Sequence, residues 1–180
     1  TRDRGQTWEV ISPDLSRIAF ITDRDGNREL YTMAAGGGDL RRLTDHPGWE
    51  SGPAWSPDGS RLAFMSDRSG DLNIYIVDAG GGVPRQVTQG CQNLYPAFHP
   101  TLDSIMWVRY CGGESASIWF TGTNGGAAYH LSQPFRMMSD LVFSPDGQRV
   151  AFDADVDNDG WNERVVMDSR YYTTSQVVFD

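Results

Sequence analysis

The chain has 180 residues, 39% of them hydrophobic and 12% aromatic, with 20 glycines and a formal net charge of −9. This length builds one core, and no apolar run approaches the roughly 18–20 residues that span a bilayer, which excludes direct membrane insertion through a helix. The acidic balance disfavours nucleic acid, and all 15 basic residues are Arg, so Schiff-base chemistry and a P-loop lysine are excluded within the chain.

The chain opens on Thr1 without a basic-then-apolar leader. It is read either as a mature chain whose targeting segment has been removed or as a piece of a longer one. From residue 11 onward one pattern recurs. "ISPDLSRIAFITDRDGNRELYTMAAGGGDLRRLT" is followed by "AWSPDGSRLAFMSDRSGDLNIYIVDAGGG", by "FHPTLDSIMWVRYCGGESASIWFTGTNGGAAYHLS" and by "FSPDGQRVAFDADVDNDGWNERVVMD". Aligned on Ser12, Ser56, His99 and Ser144, the copies are separated by 44, 43 and 45 residues.

Each copy reads as four short strands joined by tight turns. In the second copy an apolar stub (Pro53–Trp55) meets a Ser-Pro-Asp-Gly turn, where Pro presets φ and Gly accepts a positive one. An alternating strand follows over Arg61–Met65, placing Leu62 and Phe64 on one face and Ala63 and Met65 on the other. An Asp-led turn leads to a third strand at Asn73–Val77, and a triple glycine to a short fourth strand at Arg85–Thr88. No stretch of 11 or more residues has helical apolar spacing without Gly or Pro. A four-stranded antiparallel unit of about 44 residues is the size of one propeller blade.

"SPDGSRLAFMSDRSGDLNIYIVD" and "LTDHPGWESGPAWSPDG" resemble the TolB-type repeat, related to the WD-like blade, over about residues 11–168. The resemblance implies an all-β fold: a β-propeller segment of about four antiparallel blades forming a single unit over 1–180. The repeats fall at about 8–53, 54–96, 97–140 and 141–180. Because such propellers usually have six blades, it also implies that the four belong to a larger, six-bladed or bigger ring whose open edges invite association; a small four-bladed propeller is the alternative. The third copy departs most, with "HPTLD" in place of "SPDG" and Tyr110 in place of the turn-starting Asp. The opening "TRDRGQTW" is similar to the sialidase-type Asp-box, a structural blade turn. The tail "SRYYTTSQVVFD" lacks the glycine turn of a complete fourth blade.

In such a blade the loops from the fourth strand to the next first strand (d–a) and between the second and third strands (b–c) share one face. The repetitive "SPDG" and "GGG" turns share the other. Variable loops on a rigid scaffold carry binding, so the ligand-facing candidates are His46, Trp49, Glu50, Gln92, Asn93, Tyr95 and Arg136; the bland reading is that these side chains fill the crevices between blades. No catalytic set is legible. There is no G-x-S-x-G or H-E-x-x-H, His46, His99 and His130 are far apart, and His99 and His130 read as structural.

The sharpest local signal is "DADVDNDGWNE". Asp155, Asp157 and Asp159 alternate before Gly160, and Glu163 falls at the ninth position of a D-x-D-x-D-G-x-x-D-type loop, with Asp153 as an outer candidate. This pattern suits a hard cation such as Ca2+; a solvated acidic turn is the alternative. Cys91 and Cys111, 20 residues apart, reach the same face of the third copy, either as a disulfide or as two free thiols. The leading functional expectation is a non-enzymatic binding or scaffold propeller that offers its d–a/b–c face to a protein or peptide partner. The TolB resemblance adds an extracytoplasmic (periplasm or cell envelope) location. The alternative is the gating or substrate-binding propeller of a prolyl-oligopeptidase-like or tricorn-like peptidase, or of a carbohydrate-active enzyme, with catalytic residues outside these 180.

Overall fold

The computed structural model describes residues 9–113, 115–132, 134–157 and 159–169. The Asp-box-like stretch at 1–8 and the tail from 170 onward lie outside them.

The described residues form strands and no helix. β1 (Glu9–Ile11), β2 (Arg17–Thr22), β3 (Glu29–Ala34) and β4 (Arg41–Arg42) make the first sheet. The second is β5 (Glu50–Trp55), β6 (Arg61–Ser66), β7 (Asn73–Asp78) and β8 (Arg85–Gln86), hydrogen-bonded in chain order. β9 (Gln92–Phe98), β10 (Ser104–Tyr110), β11 (Ser115–Gly122) and β12 (Tyr129–His130) follow, then β13 (Phe135–Phe143), β14 (Arg149–Asp155) and β15 (Glu163–Asp168). Every pairing is antiparallel.

These are propeller blades, because the cores lie between sheets rather than within one. Ala19, Ile21, Leu30 and Leu43 of the first sheet pack with Leu62, Phe64, Tyr75 and Val77 of the second. The alternate residues Ala63, Met65, Ile74 and Ile76 turn the other way, against Phe98, Ile105 and Trp107. Met106, Val108, Ala116 and Ile118 meet Val150, Phe152, Ala154 and Val165 in the third seam. The period-2 alternation of each strand thus loads both faces, and the two-faced reading of residues 61–65 holds. The inner strands β1, β5, β9 and β13 neighbour one another in succession, while among the described residues no strand of the first sheet touches one of the fourth.

Two devices recur among the blades. In the a–b turn, Ser12 Oγ donates to Asp14 at 2.6 Å and accepts from the Arg17 amide at 2.9 Å; Ser56–Asp58 and Ser144–Asp146 do the same. In the third blade His99 replaces the Ser, and its Nδ1 accepts from the amides of Thr101 and Leu102. At the outer edge, the hydroxyls of Thr44, Thr88 and Ser132 accept the amides of Leu30, Ile74 and Ile118 at 2.8–2.9 Å, extending a two-residue d strand.

Two features differ from the sequence reading. The blade boundaries expected at 54, 97 and 141 fall inside β5, β9 and β13. Each of these strands carries a bulge, with register shifts at 51–54, opposite 106–108, and at 139–142. Gly52, Tyr95 and Asp140 take φ of 56°, 54° and 53° there, so the turn-like residues Gly52-Pro53 mark a kink within the strand rather than its start. The third and fourth blades are also joined, through pairing of Ser115 and Ala116 on β11 with Arg136 and Phe135 at the start of β13. There the chain leaving β12 continues along β11 before turning inward.

Candidate functional site

The turns sort to two ends. At one end the c–d turn amides of Ala35, Ala79, Thr123 and Ser169 bond the a–b turn carbonyls of Ser16, Ser60, Asp103 and Gln148. At the other end the d–a loops lie on the b–c turns. The loop at 45–49 touches both neighbours, since Asn27 of the first blade donates to the His46 carbonyl at 2.6 Å and Asp67 of the second accepts the Trp49 amide at 2.7 Å. Gly48 is required for this approach: a Cβ there would stand 2.9 Å from Asp67 Oδ1 and 3.1 Å from the Arg68 backbone.

Beneath this loop sit two buried carboxylates. Glu29 Oε1 accepts from the His46 amide, Asn27 and Arg42 at 2.8–3.1 Å. Burial alone would raise its pKa, but these donors and Thr44 together hold it below the ordinary carboxyl range. Glu50 has fewer donors, Ser66 at 2.9 Å and Arg68 at 2.7 Å. Desolvation pushes it up to about 7, with the nearby Glu29 charge adding to the rise. Both are fully buried. Glu50 therefore lies below the face and not on it, because the bulge at Gly52 sets the start of β5 inside the seam. The loop offers Asp45, Pro47 and Trp49 to solvent, with His46 half-buried between them; Trp49 is 39% exposed with the Arg28 guanidinium 5.2 Å from its ring centre. Arg28 had no signal of its own beyond its place in a b–c turn.

The second seam repeats the plan without charge. Asn73 takes the place of Glu29 and accepts from Thr88 and Asn93 at 3.1 and 3.0 Å. Asn93 also accepts from the Trp107 indole at 2.7 Å. Asn93 is fully buried, so it too is a strut beneath the face, leaving Gln92 exposed above it. A disulfide joins Cys91 to Cys111 with Cα atoms 4.7 Å apart; it ties the d–a loop to the end of β10, next to two consecutive left-handed residues, Gly90 and Cys91.

At the third seam Tyr95 and Asp140 stand at equivalent bulges. Tyr95 is shifted upward by burial and then by the Asp140 charge. Tyr110, in the place of the turn-starting Asp, donates to the Met138 carbonyl at 3.0 Å. Arg136 lies opposite Asp155 across β13 and β14 and is half-buried. His99 and His130 are on blade scaffolding: His99 stacks edge-on against Phe143, and His130 lies over Trp119. His99 also borders a cavity of about 230 Å³ on the opposite end, with Leu102, Phe120, Tyr129 and Leu131.

The fourth b–c turn gathers Asp155, Asp157 and Asp159, whose ligand oxygens all lie within 4.8 Å of one another. Glu163 is not in that group; its Oε2 accepts the Val156 amide at 3.0 Å. Asp153 points elsewhere, pairing with Arg164.

An all-β stack of antiparallel blades, three of them four-stranded and the fourth with three described strands, with seam cores and a variable loop face, is a β-propeller of the kind built from TolB-type repeats. The family model described as the TolB beta propeller domain matches residues 8–177, and the chain belongs to that family. It is similar to TolB from Acinetobacter baumannii, with TM-score 0.78 and 25% identity over 91% of this chain and 41% of that one. It is similar in fold to a puromycin hydrolase, with TM-score 0.72 and 22% identity over 91% of this chain and 27% of that chain. Among curated proteins, the "Uncharacterized peptidase YuxL" of Bacillus subtilis is 50% identical over 46 residues, 25% of this chain and 7% of that protein. The "Tol-Pal system protein TolB" of Anaeromyxobacter dehalogenans is 39% identical over 54 residues, 30% of this chain and 12% of that protein. The chain thus spans a small fraction of the length of the curated relatives it matches. Among the described residues no helix is long and apolar enough to cross a membrane.

Proposed function

We propose that this propeller is a non-enzymatic binding module that presents its d–a/b–c face to a protein or peptide partner. The observation that carries the reading is Trp49. It is 39% exposed under the Arg28 guanidinium, on a loop clamped from below by Glu29 and from the next blade by Asp67. A rigid aromatic beside an Arg is the side-chain type that anchors interfaces, and a preorganised loop loses little entropy on binding. His46, Gln92 and Arg136 extend the same face, with Tyr95 packed against the seam core beneath it. A protein partner agrees with the Tol-Pal system named for one relative. The disulfide supports an oxidising compartment, outside the cytoplasm.

The test is a photo-crosslinking side chain placed at Trp49 or, on the opposite end, at Val83, which is 95% exposed. Crosslinks in the source cells from position 49 and none from 83 support the reading; the reverse pattern overturns it.

A second reading is favoured by the peptidase relatives. Here the propeller gates or binds substrate for a peptidase or carbohydrate-active enzyme whose catalytic residues lie outside these 180. Labelling of the full-length protein by a fluorophosphonate serine-hydrolase probe would decide for the peptidase.

A further inference from the structure

Asp23, Asp67 and Asp155 hold equivalent places at the start of the b–c turns of blades one, two and four. Asp23 is exposed to solvent and Asp67 accepts the Trp49 amide. Asp155 is different. It is 2% exposed, and neither of its carboxylate oxygens has a hydrogen-bond partner. An unpaired carboxylate removed from water is among the most costly groups a fold can hold, and such groups are met by a counter-charge or a metal. Arg136 stands opposite it across β13 and β14, yet neither Asp155 oxygen receives a hydrogen bond, and Asp157 and Asp159 bring ligand oxygens within 4.8 Å of its own and of each other.

We propose that Asp155, Asp157 and Asp159 bind one Ca2+ ion, which compensates the buried Asp155 and seats the b–c turn against the end of β14. The turn is shaped for it. Asp157 Oδ1 accepts the Asp159 amide at 3.2 Å and Asp159 Oδ1 accepts the Trp161 amide at 2.9 Å, leaving the second oxygen of each for a cation. Glu163 ties the entrance of the turn to its exit through the Val156 amide. The oxygens lie within 4.8 Å of one another, near enough to share one ion. Ca2+ takes oxygens at about 2.3–2.6 Å in flexible geometry, whereas Mg2+ demands a near-ideal octahedron and keeps its waters, so a turn of carboxylates and main-chain oxygens favours Ca2+. Main-chain oxygens and water complete a Ca2+ shell in flexible loops of this kind. Among the three ligands there is no His or Cys to favour zinc.

The experiment uses the whole chain, stripped with chelator and titrated with Ca2+ or Mg2+. Ca2+ raises the melting temperature by several degrees and Mg2+ at equal concentration does less. Asp155→Asn removes the uncompensated buried charge, so without metal this variant melts no lower than the parent, yet it loses the Ca2+-dependent rise. That inversion is not produced by a merely structural carboxylate. Tb3+ supplies an independent readout, because Trp161 adjoins Gly160 and is 77% exposed. Sensitised Tb3+ emission is expected to be displaced by Ca2+ and reduced by Asp157→Ala. Trp161→Phe should lose the emission and keep the Ca2+-dependent melting shift. The proposal is overturned by no shift at millimolar Ca2+, by an equal response to Mg2+, by a full shift in Asp155→Asn, or by emission that survives both loop variants.

Discussion

Glu29 and Glu50 lie together under the first inter-blade seam, both fully buried, and their pKa values are displaced in opposite directions. The cause is a difference in donors. Glu29 collects a backbone amide, Asn27 and Arg42, whereas Glu50 has Ser66 and Arg68. Two adjacent carboxylates with one set of donors richer than the other resolve by one keeping its charge and the other giving it up.

A pH dependence follows from Glu50, raised from 4.5 to about 7. Its contribution to stability is fully present below the unfolded value. It is lost as pH rises toward 7, because the unfolded chain releases the proton first. The size is about 1.4 kcal/mol for each pH unit between the two values. Urea midpoints for the parent should fall between about pH 5 and pH 8, and Glu50→Gln should flatten that fall. A parent curve as flat as that of the variant would refute the assignment.

The same a–b turn position is filled by Leu15, Gly59 and Gly147, with φ of 60°, 70° and 71°. Leu15 is 71% exposed, so it makes little use of its side chain while occupying a conformation that costs an L-residue about 1–2 kcal/mol. Leu15→Gly should therefore be neutral to stabilising by about 0.5 kcal/mol, after the entropy glycine adds to the unfolded chain. Chemical denaturation measures it, and a loss above 1 kcal/mol would show the turn to be otherwise held.

Gly147 is the opposite case. A Cβ there would lie 2.4 Å from His99 Cε1, in a ring braced by Phe143, whereas at Gly59 it would meet an atom only at 3.8 Å. Gly147→Ala should cost about 1–3 kcal/mol more than Gly59→Ala, through overpacking of the third seam. Equal losses would mean that the ring moves freely.

Thr88 carries the outer edge of the second blade, where its hydroxyl accepts the Ile74 amide and donates to Asn73. Thr88→Val keeps the shape and leaves a buried amide unpaired, for an expected loss of about 1–3 kcal/mol. Thr88→Ser should recover most of it. Equal stability of the Val and Ser variants would count against the hydroxyl.

Replacing Cys91 and Cys111 together by Ser removes a bridge between residues 20 apart, with an expected loss of about 2–4 kcal/mol. The parent should show the same loss on reduction, and the double variant should be indifferent to reductant. A parent that melts identically with and without reductant would exclude the bridge from the stability of this seam.

The repeat, its four strands per copy and the two-faced alternation of residues such as Leu62 and Ala63 were legible in the chain itself. Turn chemistry at Ser-Pro-Asp-Gly and strand periodicity act over a few residues, and recurrence at 44, 43 and 45 residues multiplied the signal. The sorting of loops to one face followed from strand order alone. Tertiary structure decided what lies beneath that face. Glu50 and Asn93 look like loop residues in sequence, but the bulges at Gly52 and Tyr95 draw the start of each inner strand into a seam, where they become struts. The three Asp-led turns begin at the same place in their repeats, the fourth-blade turn being two residues longer and more acidic, yet only Asp155 ends up buried without a partner, because burial of a polar group is set by how neighbouring strands stack over it and not by the residues beside it in the chain.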